Sequence, residues 1–136
     1  MSGKKGTQEK AYICKSELKI MEVLWEKGET TASQIYRILQ DKTGWSKSTS
    51  YTVLEKCIIK GFVKRTDPNY VCRALISREE VHANVLNEFT DLYFDGSKME
   101  LILSFLENIA LTPEELQNFQ EMLKTYKRPD KKIRGI

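Results

Sequence analysis

Between Ser46 and Arg65 the chain gathers side chains suited to contact with a polyanion. Lys47, Ser48, Thr49, Ser50, Tyr51 and Thr52 follow one another, and Lys56, Lys60, Lys64 and Arg65 extend the positive charge downstream. Small hydroxylated residues let a backbone come close to base edges, hydroxyls bond phosphates and bases, and lysine neutralises phosphate charge. Lys47, Ser48, Ser50 and Tyr51 are expected to face double-stranded DNA. Thr49 and Thr52 lie beside them, with Thr49 also a candidate for the core. Lys56, Lys60, Lys64 and Arg65 would form a phosphate track, with Arg73 a weaker addition. Trp45 is expected to pack and fix the preceding turn rather than touch a base. An ordinary amphipathic helix with a polar first turn has a similar composition, so the reading depends on the elements that position these residues.

Those elements are legible as three short helices and a hairpin. Ser16 can cap a first helix running to about Lys27, with Leu18, Met21, Leu24 and Trp25 at helical spacing and Gly28 as its stop. Thr31 and Gln34 make a capping box for a second helix with Ile35, Ile38 and Leu39 on its apolar face. Thr43-Gly44 breaks that helix, and Ser46 caps a third whose inner face is expected to be Thr49, Val53, Leu54, Cys57 and Ile58. Gly61 ends it. Two strand-like runs, Phe62–Thr66 and Tyr70–Ile76, flank the turn signal Asp67-Pro68-Asn69. Three helices followed by a hairpin make a winged helix, with the second and third as the helix-turn-helix.

From Ser77 the pattern changes. Ser77 and Glu80 form another capping box, and Thr112-Pro113-Glu114-Glu115 is a strong helix start. The three helices expected here carry Val85, Phe89, Leu92 and Tyr93, then Leu101, Ile102, Phe105 and Leu106, then Leu116, Phe119 and Leu123. That is more apolar surface than a segment of this size can hide alone, so these residues are expected to form an interface with an identical chain. A DNA-reading unit also gains from a second half-site. The expected organisation is a flexible basic arm (1–12), a winged-helix DNA-binding domain (13–76), a helical dimerisation domain (77–126) and a basic tail (127–136). The fold class is mostly α, an N-terminal winged helix-turn-helix followed by a C-terminal helical dimerisation domain.

Charge distribution agrees with that division. The net charge is +3, but residues 1–76 hold 14 Lys/Arg against 8 Asp/Glu, residues 77–126 hold 3 against 10, and residues 127–136 hold 5 against 1. A basic front followed by an acidic middle points to two parts with different partners. Cys14, Cys57 and Cys72 are scattered, with no C-x-x-C or C-x-C, which excludes a disulfide framework or a thiolate clip and fits a reducing cytoplasm. No apolar run spans a membrane, and the first ten residues lack the apolar core of a secretory signal. His82 is the single histidine; with Glu79 and Glu80 it reads as surface at a helix start, not a metal site. No cofactor, metal or catalytic residue is expected, because nucleotide-binding, hydrolase and metalloprotease motifs are missing and one histidine cannot build most histidine-based sets.

The order of these pieces resembles the penicillinase-repressor family (the BlaI/MecI type, with copper-responsive relatives) over about residues 13–126. The resemblance is carried by Ile13…Glu17…Met21-Glu22-Val23-Leu24-Trp25, by Gly28-Glu29-Thr30-Thr31-Ala32…Ile35, and most specifically by Gly44-Trp45-Ser46…Thr49…Thr52-Val53-Leu54…Lys60-Gly61. Phe94-Asp95-Gly96-Ser97 and Leu103-Ser104-Phe105-Leu106-Glu107-Asn108 resemble its dimerisation motifs. The resemblance implies a homodimeric repressor whose third helices enter the major grooves of an inverted repeat, typically built on TACA/TGTA. In β-lactam-responsive members a membrane sensor protease leads to cleavage within the dimerisation domain; here Ser104 and Phe105 stand at the matching position, where Asn-Phe is common. Ser50 and Tyr51 stand where an apolar and then a basic or polar residue are usual, and Lys56 where arginine is usual. The wing turn is about two residues short. The tail lacks the cysteine cluster of copper-responsive members, and Cu(I) requires thiolates. Release by a small molecule bound between helices, and a protein–protein role for the winged helix, remain the alternatives.

Overall fold

The computed structural model describes residues 13–129. The arm expected at 1–12 and the tail from residue 130 onward lie outside the described residues. The described residues form six helices and a small three-stranded antiparallel sheet, in the order α1 (Lys15–Lys27), β1 (Thr30–Thr31), α2 (Ala32–Thr43), α3 (Lys47–Ile59), β2 (Val63–Thr66), β3 (Val71–Ala74), α4 (Arg78–Phe94), α5 (Lys98–Asn108) and α6 (Pro113–Lys124). This is a winged helix-turn-helix followed by a helical segment. The chain divides into two compact units, one ending at Val81 and the other beginning at His82. The division falls inside α4, five residues beyond the boundary expected at Ile76, because α4 continues through it without a break.

In the first unit the helix boundaries follow local chemistry. The first helix starts earlier than expected: its cap is Cys14, not Ser16, and the backbone N–H of Cys14 donates to Glu17 Oε1 at 3.0 Å. Thr31 Oγ1 accepts from the Gln34 N–H, while Gln34 Oε1 accepts from the Thr31 N–H at 3.1 Å, so the expected capping box forms. Gly44 ends α2 in the left-handed region at φ +76, a conformation that costs other residues more than glycine. Ser46 then caps α3 through the Thr49 N–H at 3.1 Å. A helix stop at Gly44, the single residue Trp45 and a helix cap at Ser46 in sequence fix the angle of the helix-turn-helix.

The sheet order is β1-β3-β2. The hairpin registers Val63 with Ala74 and Thr66 with Val71, and β1 adds Thr30 opposite Cys72 and Thr31 opposite Val71. Sequence periodicity did not reveal β1, since two threonines before a cap carry no alternation. The wing strands are also shorter than their apolar runs: Phe62, Tyr70, Leu75 and Ile76 fall outside the ladder. Ile20, Met21 and Leu24 of α1, Ile35 and Leu39 of α2, Val53, Leu54 and Cys57 of α3, and Phe62, Val63 and Cys72 of the hairpin close one core. The Trp25 indole N–H donates to the Ile76 carbonyl at 2.9 Å, tying α1 to the chain just ahead of α4.

An ion pair with one buried partner joins α1 to Lys60, the residue that caps α3. The Glu17 side chain is 1 % exposed and both its oxygens lie 2.9 Å from Lys60 Nζ. Burial alone would raise the Glu17 pKa, but the Cys14 backbone hydrogen bond and the Lys60 ammonium outweigh it and hold the carboxyl below its ordinary value. Burial pushes the thiols of Cys57 and Cys72 up to about 12 and about 11, so they stay protonated and pack as small apolar groups.

The second unit is built differently. Its helices start on strong caps: Ser77 with Glu80, Ser97 with the Glu100 N–H at 3.1 Å, and Thr112 with Glu115 in a reciprocal box with Pro113 in the first turn. Their apolar faces, however, are largely uncovered. No residue of α5 or α6 is buried. Among the described residues of α4 beyond Val81, only Thr90 is, its hydroxyl donating to the Leu86 carbonyl at 2.6 Å.

Candidate nucleic-acid interface

The exposed face of α3 is the site the sequence pointed to, with its composition altered by the actual helix phase. Lys47, Ser48, Thr49, Thr52 and Lys56 are all exposed. Ser48, Thr52 and Lys56 succeed one another at i, i+4 spacing and so share one outward row. Thr49, expected beside the DNA-facing residues and also a candidate for the core, is exposed beside that row.

Two expectations are corrected. Ser50, expected to face DNA, is 2 % exposed and lies on the inner face with Val53, Leu54 and Cys57. Its position is set by helix phase: it precedes Val53 and Leu54 by three and four residues, so burying those two buries it as well. Its hydroxyl has no hydrogen-bond partner among the described residues. Lys60, expected in the phosphate track, points its ammonium back to the buried Glu17 carboxylate, so its charge is compensated within the chain.

Tyr51 takes an intermediate position. It is half-buried, and its ring meets the Tyr70 ring edge-on at 5.8 Å and 84°. Lys47 Nζ lies 5.8 Å from the Tyr51 ring centroid, near the limit for a cation–π contact. Trp45 is partly buried against the core, in the packing role expected of it. On the wing, Lys64 is exposed, while Arg73 opposite it reaches Glu29 at 4.0 Å. Arg65 is occupied: its Nε donates to Asp67 Oδ1 at 3.0 Å, and its guanidinium lies 3.6 Å from the Tyr70 ring centroid. Sequence reasoning missed Glu55 and Tyr70 as residues shaping this surface. The one available signal was Glu55 itself, a carboxylate set into an otherwise basic and hydroxylated helix face.

The arrangement offers hydroxyls and lysines on a rigid helix braced by a closed core, with a wing beside it. Such a face can bond a polyanion through its hydroxyls and ammonium groups. Among the described residues no cluster of His, Cys, Asp and Glu is placed to hold a metal ion, and no helix is long and apolar enough to cross a membrane.

Fold and exposed helix together define a winged helix-turn-helix protein of the kind that presents its third helix to a partner. The sequence profile of the family described as "Penicillinase repressor" matches residues 13–125, and the chain belongs to that family. Among known relatives, the methicillin resistance regulatory protein MecI of Mammaliicoccus sciuri is 24% identical over 113 residues, covering 82% of this chain and 92% of that protein. The penicillinase repressor of Bacillus licheniformis is 25% identical over 121 residues, covering 88% of this chain and 94% of that protein. The penicillinase repressor of Staphylococcus aureus is 22% identical over 113 residues, 82% of this chain and 90% of its own.

Proposed function

We propose that this chain is a transcriptional repressor that binds an inverted-repeat operator as a homodimer. Each α3 enters a major groove, and the second unit supplies the dimer contact. The observation that carries the reading is the exposed row Ser48, Thr52 and Lys56, with Lys47 and Thr49 beside it, on the third helix of a penicillinase-repressor-family protein. A helix enters the major groove side-on, and small hydroxylated residues let it go deep enough for base contact. Lys47, Lys56 and Lys64 are the phosphate contacts in this account.

Dimerisation is supported by the second unit's own surface. Fifteen large apolar side chains of residues 85–126 are exposed, among them Phe89, Leu92, Tyr93, Phe105 and Leu123, against two, Ile59 and Leu75, in the first unit's described residues. Association costs about 4–15 kcal/mol in lost freedom. Covering fifteen half-exposed large side chains at roughly 1 kcal/mol each offsets a cost of that size. An apolar groove of about 330 Å³, lined by Leu86, Leu101, Ile102, Phe105, Leu106 and Phe119, gives the second copy a place to insert. Loss of this contact, by cleavage at Ser104–Phe105 by a sensor protease or by a small molecule occupying the groove, is the proposed route of release. The relatives' names point to β-lactam-resistance genes as the controlled class.

Lys47→Ala tests the assignment of α3. It is expected to weaken binding to every duplex and to lower the magnitude of the salt slope by about 0.9, the value for one phosphate contact. An unchanged slope removes Lys47 from the interface.

A further inference from the structure

One carboxylate stands on the exposed face of α3. Glu55 follows Thr52 by one helical turn and is exposed, yet it is not idle. Its Oε2 accepts the Tyr70 hydroxyl at 2.7 Å and lies 3.5 Å from an Arg65 terminal nitrogen. Tyr70 carries Arg65 over its ring and packs at a near-right angle against the Tyr51 ring. Tyr51 and Glu55 are thus an i, i+4 pair on α3 that grips one wing residue from two sides. Tyr70 is itself fixed, in the left-handed region at φ +54, with its carbonyl accepting the Ala32 N–H at 3.0 Å. Burial and the Glu55 hydrogen bond push its phenol well above the ordinary range, so it remains a donor at neutral pH.

The consequence falls on Arg65. A guanidinium stacked on a ring, bonded to Asp67 and drawn to Glu55 has its charge compensated and its plane fixed. To reach a phosphate it must leave all three. Asp67 sits two residues away on the same turn and travels with it, whereas Glu55 anchors it to the helix.

We propose that Glu55 is a positioning residue that latches the wing to α3 and keeps the Arg65 charge away from DNA, so that wing contact is left to Lys64. The proposal rests on the repressor reading. It implies that this protein binds DNA less tightly, and with a shallower salt dependence, than its row of cations alone would give.

The test is duplex binding over a salt series for the unaltered chain, Glu55→Gln, Arg65→Gln and the double variant, each confirmed folded by circular dichroism. Glutamine keeps an acceptor for Tyr70 and loses the charge. Glu55→Gln is expected to bind several-fold more tightly, with a slope steeper by about 0.9, as for one added phosphate contact. Arg65→Gln alone is expected to keep the slope of the unaltered chain, and the gain from Glu55→Gln is expected to vanish in the Arg65→Gln background. An unchanged slope in Glu55→Gln overturns the proposal. So does a slope flattened by Arg65→Gln alone, since Arg65 would then already touch phosphate. An equal gain in both backgrounds also overturns it, since that is simple repulsion between Glu55 and DNA. If the unaltered chain shows no salt-dependent binding, the repressor reading itself falls, and that result is read before any variant is made.

Discussion

The two units of this chain use the same vocabulary of capped amphipathic helices and reach opposite states. In the first, α1, α2, α3 and the hairpin surround Ile20, Met21, Ile35, Leu39 and Leu54, each buried almost completely. In the second, helices with equally strong caps leave most of their large apolar side chains exposed, and nothing in α5 or α6 is buried. Caps and helical periodicity decide where helices form. They do not decide whether a helix finds its partner within the chain. The first unit holds its own core and exposes a polar helix face; the second exposes an apolar face, which in the proposed reading meets a second copy.

Substitutions separate the two behaviours. The largest effect is expected from Phe105→Asp combined with Leu106→Asp, which puts two charges on the exposed apolar face of the second unit. Subunit association should be lost and operator binding should fall by 100-fold or more, because a single half-site replaces two. The first unit's near-ultraviolet circular dichroism should persist. Sedimentation velocity together with that spectrum gives the answer; unchanged association would place the interface elsewhere.

Next in size is Leu54→Ala, at the centre of the first core. It should lower stability by roughly 2–5 kcal/mol in denaturant unfolding, the range for a buried leucine truncation. Leu92→Ala, at a side chain 67% exposed, should cost a far smaller amount under conditions where the chain is monomeric.

A smaller effect is expected at the Glu17–Lys60 pair. Lys60→Met should destabilise by roughly 2–3 kcal/mol, at or below the range for a fully buried pair because part of Lys60 reaches solvent. The Glu17 pKa is lowered by folding, so its contribution is present above the ordinary carboxylate value near 4.5 and is lost as pH falls through the lower folded-state value. Thermal melts from pH 7 down to pH 3 should show acid loss in the unaltered chain, and less of it in Lys60→Met. Smallest is Ser50→Ala, which removes a buried hydroxyl without a partner. It is expected to leave stability unchanged or slightly raised, and to leave DNA binding as it was. A marked loss of DNA binding would return Ser50 to the interface.

Much of this was legible in the residues. Thr31 with Gln34, Ser46, Ser77 with Glu80 and Thr112 with Pro113 and Glu115 gave the helix starts, and Asp67-Pro68-Asn69 gave the wing turn, because these are local rules carried by adjacent side chains. Helix phase was less secure. A run in which six of seven residues, Ser46–Thr52, carry hydroxyls has no polarity contrast to show which are inside, so Ser50 was assigned to the wrong face and Thr49 to both. Long-range pairings were not legible. Glu17 with Lys60, and Glu55 with Tyr70 and Arg65, join residues up to 43 positions apart, and no spacing announces them. As a result two of the four downstream cations, Lys60 and Arg65, turn out to pair with carboxylates of the chain itself.

The most direct measurement is fluorescence-anisotropy binding of the full chain to a TACA/TGTA inverted-repeat duplex and to a scrambled duplex of equal length, over a salt series with stoichiometry determined. The account predicts tight binding to the inverted repeat at two subunits per site, a clear preference over the scrambled duplex, and a steep loss of affinity with salt. Weak binding, equal on both duplexes and indifferent to salt, would contradict it and direct the exposed face of α3 to a protein partner.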